Sequence, residues 1–114
     1  MTTLFGIKNC DTVKKARRWL DNANVNYEFQ DVRDSPLTAD TLQEWLGQVG
    51  ETTLLNTRST TWRNLPEHDK GERTLPRTIE LLQEHPTLIK RPVLVHNQGI
   101  EVGFKDARYA EIFA

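Results

Sequence analysis

Cys10 is the one cysteine in a chain of 114 residues, and its setting suits thiol chemistry. It stands between a short apolar run, Thr3-Leu4-Phe5-Gly6-Ile7, and a segment in which Val13, Ala16 and Leu20 recur at helical spacing. That places the thiol at the start of a helix. Backbone N–H groups there lack intrahelical acceptors, and the helix dipole draws negative charge to the same place. Such a position favours the thiolate, which is the nucleophilic form. Lys8, Lys14 and Arg91, if near, strengthen the effect, while Asp11 opposes it. The plain alternative is a buried cysteine serving as a small apolar residue.

Two arginines are the other candidates. Arg58 lies in a Ser/Thr-rich stretch with Asn56, Thr57 and Ser59. A guanidinium can grip a carboxylate or an oxyanion with two parallel bonds, although an exposed Arg is ordinarily just solvated. Arg91-Pro92 opens a short apolar segment. Its plain reading is a proline starting an edge strand; its sharper reading is a cis peptide that turns Arg91 toward the Cys10 end of the sheet. A lone cysteine excludes an internal disulfide. His68, His85 and His96 show no metal-ligand spacing, so no metal is expected. No G-x-S-x-G and no Gly-rich phosphate loop are present. Lys14, Lys15, Arg17 and Arg18 read as the solvated face of a helix, and Trp62 as a loop anchor.

The elements that must position these residues follow from the pattern. After the first strand and helix, Tyr27 to Val32 alternates apolar and polar as a half-buried strand does. Strand, helix, strand implies a parallel pair with a crossover helix. Thr38 caps a second helix with Leu42, Trp45, Leu46 and Val49 on one face. Glu51 to Pro66 reads as an ordered loop with a helical turn or two. Thr74 caps another helix, with Pro76 in its tolerant first turn, and His85-Pro86 stops it. Val93 to His96 and Ile100 to Val102 form a hairpin around Asn97-Gln98-Gly99. Asp106 is expected to cap a final helix. The sum is an α/β fold with a four-stranded mixed sheet, read as one domain over 1–114 with a helical insertion at roughly 36–86.

Composition sets limits on function. Hydrophobic residues make up 37% and charged residues 27%, and the formal net charge is −1. That balance argues against a nucleic-acid binder. No apolar run is long enough to cross a membrane, and the segment before Cys10 is too short and too charged for a secretion signal. A cytoplasmic, soluble monomer with no nucleic-acid or membrane partner is expected.

Three segments together resemble a known group. Gly6-Ile7-Lys8-Asn9-Cys10-Asp11-Thr12, Leu54-Leu55-Asn56-Thr57-Arg58 and Leu88-Ile89-Lys90-Arg91-Pro92-Val93 are similar to the arsenate-reductase-like (ArsC) family that includes Spx and YffB, closest to the YffB branch. The resemblance implies a thioredoxin-like fold (βαβ…ββα) with a helical insertion, a nucleophilic Cys10, a cis Pro92 and Arg91 beside the thiol. It implies glutathione as co-substrate, held between Cys10 and Arg91-Pro92 with Asn9 and Asp11 alongside. Arg91, Lys8 and Arg58 are then the groups that stabilise the thiolate or an anion.

The departures point away from arsenate itself. Arsenate reductases of the group carry Ser-Arg-Asn after their cysteine, where Asp11-Thr12-Val13-Lys14 stands here. A further family arginine aligns near Phe104-Lys105, and the middle one aligns nearer Asn56 than Arg58. The C-x-x-C switch common in Spx is missing, because the partner position is Val13. The expected function is a glutathione-dependent thiol oxidoreductase acting on a disulfide or an oxyanion substrate. The alternatives are an arsenate reductase and a non-catalytic, Spx-like, transcription-associated interaction protein.

Overall fold

In the computed structural model, which describes residues 2–114, the elements follow in chain order. They are β1 (Thr3–Gly6), α1 (Asp11–Asn22), β2 (Glu28–Asp31), α2 (Ala39–Val49), α3 (Glu51–Leu54), α4 (Thr60–Arg63), α5 (Glu67–Lys70), α6 (Leu75–Glu84), β3 (Val93–His96), β4 (Gly99–Val102) and α7 (Asp106–Ile112). A short 3-10 turn, Pro86–Leu88, follows α6. Two compact units result: the residues up to Ser35 together with Arg91–Ala114, and Pro36–Lys90.

The first unit is built on a four-stranded sheet in the order β2-β1-β3-β4. β1 runs parallel to β2, with Thr3 opposite Glu28 and Gly6 opposite Asp31. It runs antiparallel to β3, with Phe5 opposite Val93. β3 and β4 close a hairpin in which His96 faces Gly99. This is the expected mixed sheet. The parallel pair needs a crossover, and α1 supplies it. Leu4 and Leu94 of the sheet, Ala16 and Leu20 of α1 and Tyr109 of α7 form one fully buried cluster. Trp19, Phe104 and Phe113 pack their rings around Tyr109, with Phe104 edge-on at 4.8 Å between ring centroids. α1 is therefore fixed along the sheet by its apolar face while its charged residues stay outside.

The second unit is helical. Leu42, Trp45, Leu46, Leu54, Ile79, Leu81 and Leu82 are buried within it. Thr38 and Thr74 cap α2 and α6 through their side chains, as the sequence pattern predicts. Leu55 and Ile89 form an isolated antiparallel bridge, reinforced by Asn56 N–H to Leu88 O at 2.7 Å and Lys90 N–H to Leu54 O at 2.8 Å. A partly buried ionic network holds α3, α5 and α6. The Arg77 guanidinium donates to both Asp69 carboxylate oxygens at 3.1 Å. Arg73, with its side chain buried, pairs with Glu51, donates to the carbonyls of Asp69 and Gly71, and lies 5.3 Å from the Trp62 ring centroid.

Two expectations are corrected. Lys105, not Asp106, occupies the cap position of α7, and Asp106 is its first residue, where a carboxylate still meets the positive end of the helix dipole. The stretch from Glu51 to Pro66 holds two helical turns, α3 and α4, as expected, but a further one, α5, follows Pro66 where none was expected. Four-residue helices carry too little periodicity to register in a sequence pattern.

Candidate active site

Cys10 takes the N-cap position of α1, with φ −83° and ψ 125°. Its backbone is held on both sides: its N–H donates to Ile7 O at 3.1 Å, and its carbonyl accepts from Lys14 N at 3.0 Å. The side chain is half-buried and makes no capping hydrogen bond. A cap residue normally offers an oxygen to the N–H groups of the first turn. Here a sulfur stands in that place, where Asp11, Thr12 and Val13 have N–H groups with no intrahelical acceptor. The arrangement can stabilise negative charge on Sγ and leaves the thiol accessible.

The local fold follows from a close approach. Gly6 ends β1 directly against the first turn of α1: a Cβ built on it would lie 2.7 Å from Val13 Cγ2. Only a residue without a side chain lets strand and helix meet so closely. Ile7 and Val13 are buried, and Lys8 and Asn9 cross the short exposed link to Cys10.

The other wall comes from far along the chain. The Arg91–Pro92 peptide bond is cis. Because Val93 pairs with Phe5, strand pairing brings Arg91-Pro92 to the end of β1 from which the Cys10 loop departs. Pro92 is buried, and its carbonyl accepts from Gly103 N at 2.8 Å. Gly103 has φ 84°, a left-handed conformation that glycine adopts without strain. Arg91 is half-buried, with its Nε out of contact with solvent.

The remaining candidates fall as follows. Lys8 extends into solvent, its ammonium 3.3 Å from Asp34 Oδ2. Asn9 and Asp11 flank Cys10 and are exposed, with Asp11 the first residue of α1. The first unit thus holds Cys10, Lys8, Asn9, Asp11, Arg91 and Pro92. Arg58 belongs to the second unit, exposed in a turn where its N–H donates to Asn56 Oδ1 at 3.3 Å.

Asp31, at the end of β2, was not among the residues singled out in the sequence. Its buried carboxylate accepts Lys8 N–H at 3.0 Å on Oδ2 and Arg33 N–H at 2.9 Å on Oδ1. Burial works against its charge, but these backbone donors and the Arg33 guanidinium outweigh it and hold the carboxyl below the usual carboxylate range. A signal did exist. Tyr27, Phe29 and Asp31 share one parity of an alternating strand, so an acid falls on the apolar face and must find donors. Among the described residues no group of His, Cys, Asp and Glu could hold a metal ion, and no helix is long and apolar enough to cross a membrane.

Known proteins share this layout. A solved structure described as the YFFB protein superposes with a TM-score of 0.94 at 41% identity, covering 100% of both chains. An arsenate reductase (ArsC) related protein from Brucella melitensis is 42% identical with a TM-score of 0.76, over 98% of this chain and 93% of that one. The global transcriptional regulator Spx of Listeria innocua is 30% identical over 93% of this chain and 82% of its own length. The fold is thus the thioredoxin-like one of these relatives. With a family model matched from residue 5 to residue 112, and so from β1 to the last turn of α7, the chain belongs to the ArsC family.

Proposed function

We propose that this chain is a glutathione-dependent thiol oxidoreductase with Cys10 as its nucleophile. The observation that carries the reading is the seat of the sole cysteine: the N-cap of a twelve-residue helix, half-buried, with no capping hydrogen bond of its own. The Cys10 thiolate attacks a mixed disulfide of glutathione and substrate. One sulfur–sulfur bond forms on Cys10 as the old one breaks, and the substrate leaves as its thiol. With no second cysteine among the 114 residues, a free glutathione must attack the Cys10–glutathione disulfide, releasing oxidised glutathione and restoring the thiolate. Asn9 and Asp11 flank the sulfur, and Arg91 supplies a cation suited to a glutathione carboxylate. Lys8, already beside Asp34, has a secondary role in this reading.

The test is steady-state reduction of the mixed disulfide of glutathione and 2-mercaptoethanol, with reduced glutathione as co-substrate. Turnover that disappears in Cys10→Ser supports the reading. A rate no higher than that of glutathione alone overturns it.

A second and weaker reading takes arsenate as substrate: likeness to an arsenate-reductase-related protein supports it, and Asp11-Thr12-Val13-Lys14 in place of Ser-Arg-Asn argues against it. The Cys10 thiolate would condense with arsenate, expelling water. A glutathione thiol would then bond to the Cys10 sulfur as arsenic leaves reduced by two electrons. Arsenite production dependent on Cys10 and glutathione would establish it, and its absence would leave the thiol substrate alone.

A further inference from the structure

The link between β1 and α1 is only four residues long, Ile7 to Cys10, and two of its backbone donors are fixed from different sides. Cys10 N–H is held from within the link by Ile7 O at 3.1 Å. Lys8 N–H is held from outside it by Asp31 Oδ2 at 3.0 Å. Asp31 is itself rigidly placed. It pairs with Gly6 in the β1–β2 register, its Oδ1 accepts Arg33 N–H at 2.9 Å, and its carbonyl accepts the N–H groups of Asp34 and Ser35 at 3.1 and 3.0 Å. Its side chain is 5% exposed, so water does not compete for the carboxylate. The charged groups around it are Arg33, with Nε 4.0 Å from Oδ1, and the Lys8–Asp34 pair, which lies in solvent.

We propose that Asp31 is the positioning residue for Cys10: by anchoring Lys8 N–H it fixes the link that delivers Sγ to the first turn of α1. This rests on Cys10 being the working thiol, as argued above. Asp31 serves without touching the sulfur. Its charge is taken up by two backbone donors and an arginine, so the carboxylate can sit near the thiol's loop while its influence is spent on geometry. A neutral acceptor in the same place holds the link less firmly, because hydrogen bonds to an ionised oxygen are stronger than those to a neutral one.

The experiment compares Asp31→Ala, Asp31→Asn and a control, Val25→Ala, which trims the same unit's apolar cluster away from the link. Iodoacetamide alkylation of Cys10 at neutral pH is measured on the folded fraction of each. Losing the anchor should slow Cys10 alkylation by about tenfold in Asp31→Ala, with partial recovery in Asp31→Asn and no change in Val25→Ala. In the wild type, the Lys8 and Arg33 amide resonances should also shift together as Asp31 is titrated with acid, a step absent in Asp31→Asn. Equal alkylation rates in wild type, Asp31→Ala and Asp31→Asn would overturn the assignment. So would an equal loss in Val25→Ala, since that would trace the effect to stability. The proposed function fails separately: a Cys10 that depends on Asp31 for alkylation yet takes no glutathione keeps the positioning role and loses the reductase.

Discussion

Gly6 and Val13 meet so closely that a Cβ on the glycine would lie 2.7 Å from Val13 Cγ2 and 3.0 Å from Cγ1. Both groups are buried, and Val13 belongs to the turn that begins at Cys10, so neither can yield without moving the thiol. Gly6→Ala is expected to destabilise the protein by about 1–3 kcal/mol, the usual scale of overpacking. Val13→Ala in the same chain should recover part of that loss. A double-mutant cycle by denaturant unfolding measures the coupling, and additive effects would show that the contact does not matter.

Cys10→Ser separates stability from chemistry. The N-cap of α1 holds a sulfur that makes no capping bond, whereas serine is among the best capping residues. The substitution should leave the fold intact and raise stability by about 0.5–1 kcal/mol while abolishing thiol turnover. Unfolding midpoints and activity on the same preparation check both halves.

Tyr109 is fully buried, and its hydroxyl has no hydrogen-bond partner among the described residues. Burial, helped by the negative charge of Glu101, pushes its ionisation upward and keeps the phenol neutral. A buried polar atom without a partner costs about 1–3 kcal/mol, so Tyr109→Phe should stabilise the first unit by about 1 kcal/mol. The edge-on stacking with Trp19 and Phe104 would survive. A fall in the thermal midpoint would contradict this.

The second unit should weaken in acid for a specific reason. The bidentate Arg77 bond holds the Asp69 carboxyl below the usual carboxylate range, against the opposing effect of burial, with the charges of Arg77, His68 and His85 assisting. A carboxylate lowered on folding contributes fully above its unfolded pKa of about 3.9 and loses that contribution as pH falls through its folded value. Wild type should therefore lose stability progressively below about pH 4. Asp69→Asn should be less stable at pH 7 and show a shallower decline in acid, read by circular dichroism. Parallel acid curves would rule the Asp69–Arg77 pair out as the cause.

Much of this was legible in the sequence because it rests on local periodicity. Val13, Ala16 and Leu20 mark the buried face of α1, and Thr38 and Thr74 are the caps they were read to be. The mixed four-stranded sheet followed from the strand–helix–strand unit and the hairpin, while its strand order, β2-β1-β3-β4, comes from the structure. What was not legible is what pairing brings together across the chain. Gly6 reads as an ordinary small residue until Val13 is seen against it. Asp31 falls on the apolar face of its strand by parity, but which donors it takes is legible only when Lys8 N–H is seen against it. Helical turns were expected between Glu51 and Pro66, but their bounds, and the further turn α5, were not legible, because four residues hold barely one helical period.

The central claim is that Cys10 exchanges with glutathione, and intact-mass spectrometry after treatment with oxidised glutathione at neutral pH tests it most directly. The account predicts a single glutathione adduct per chain, mapped to Cys10 and removed by reduced glutathione, forming faster than on a cysteine in an unstructured peptide. No adduct on the native chain, or one forming only at the peptide's rate, would contradict it.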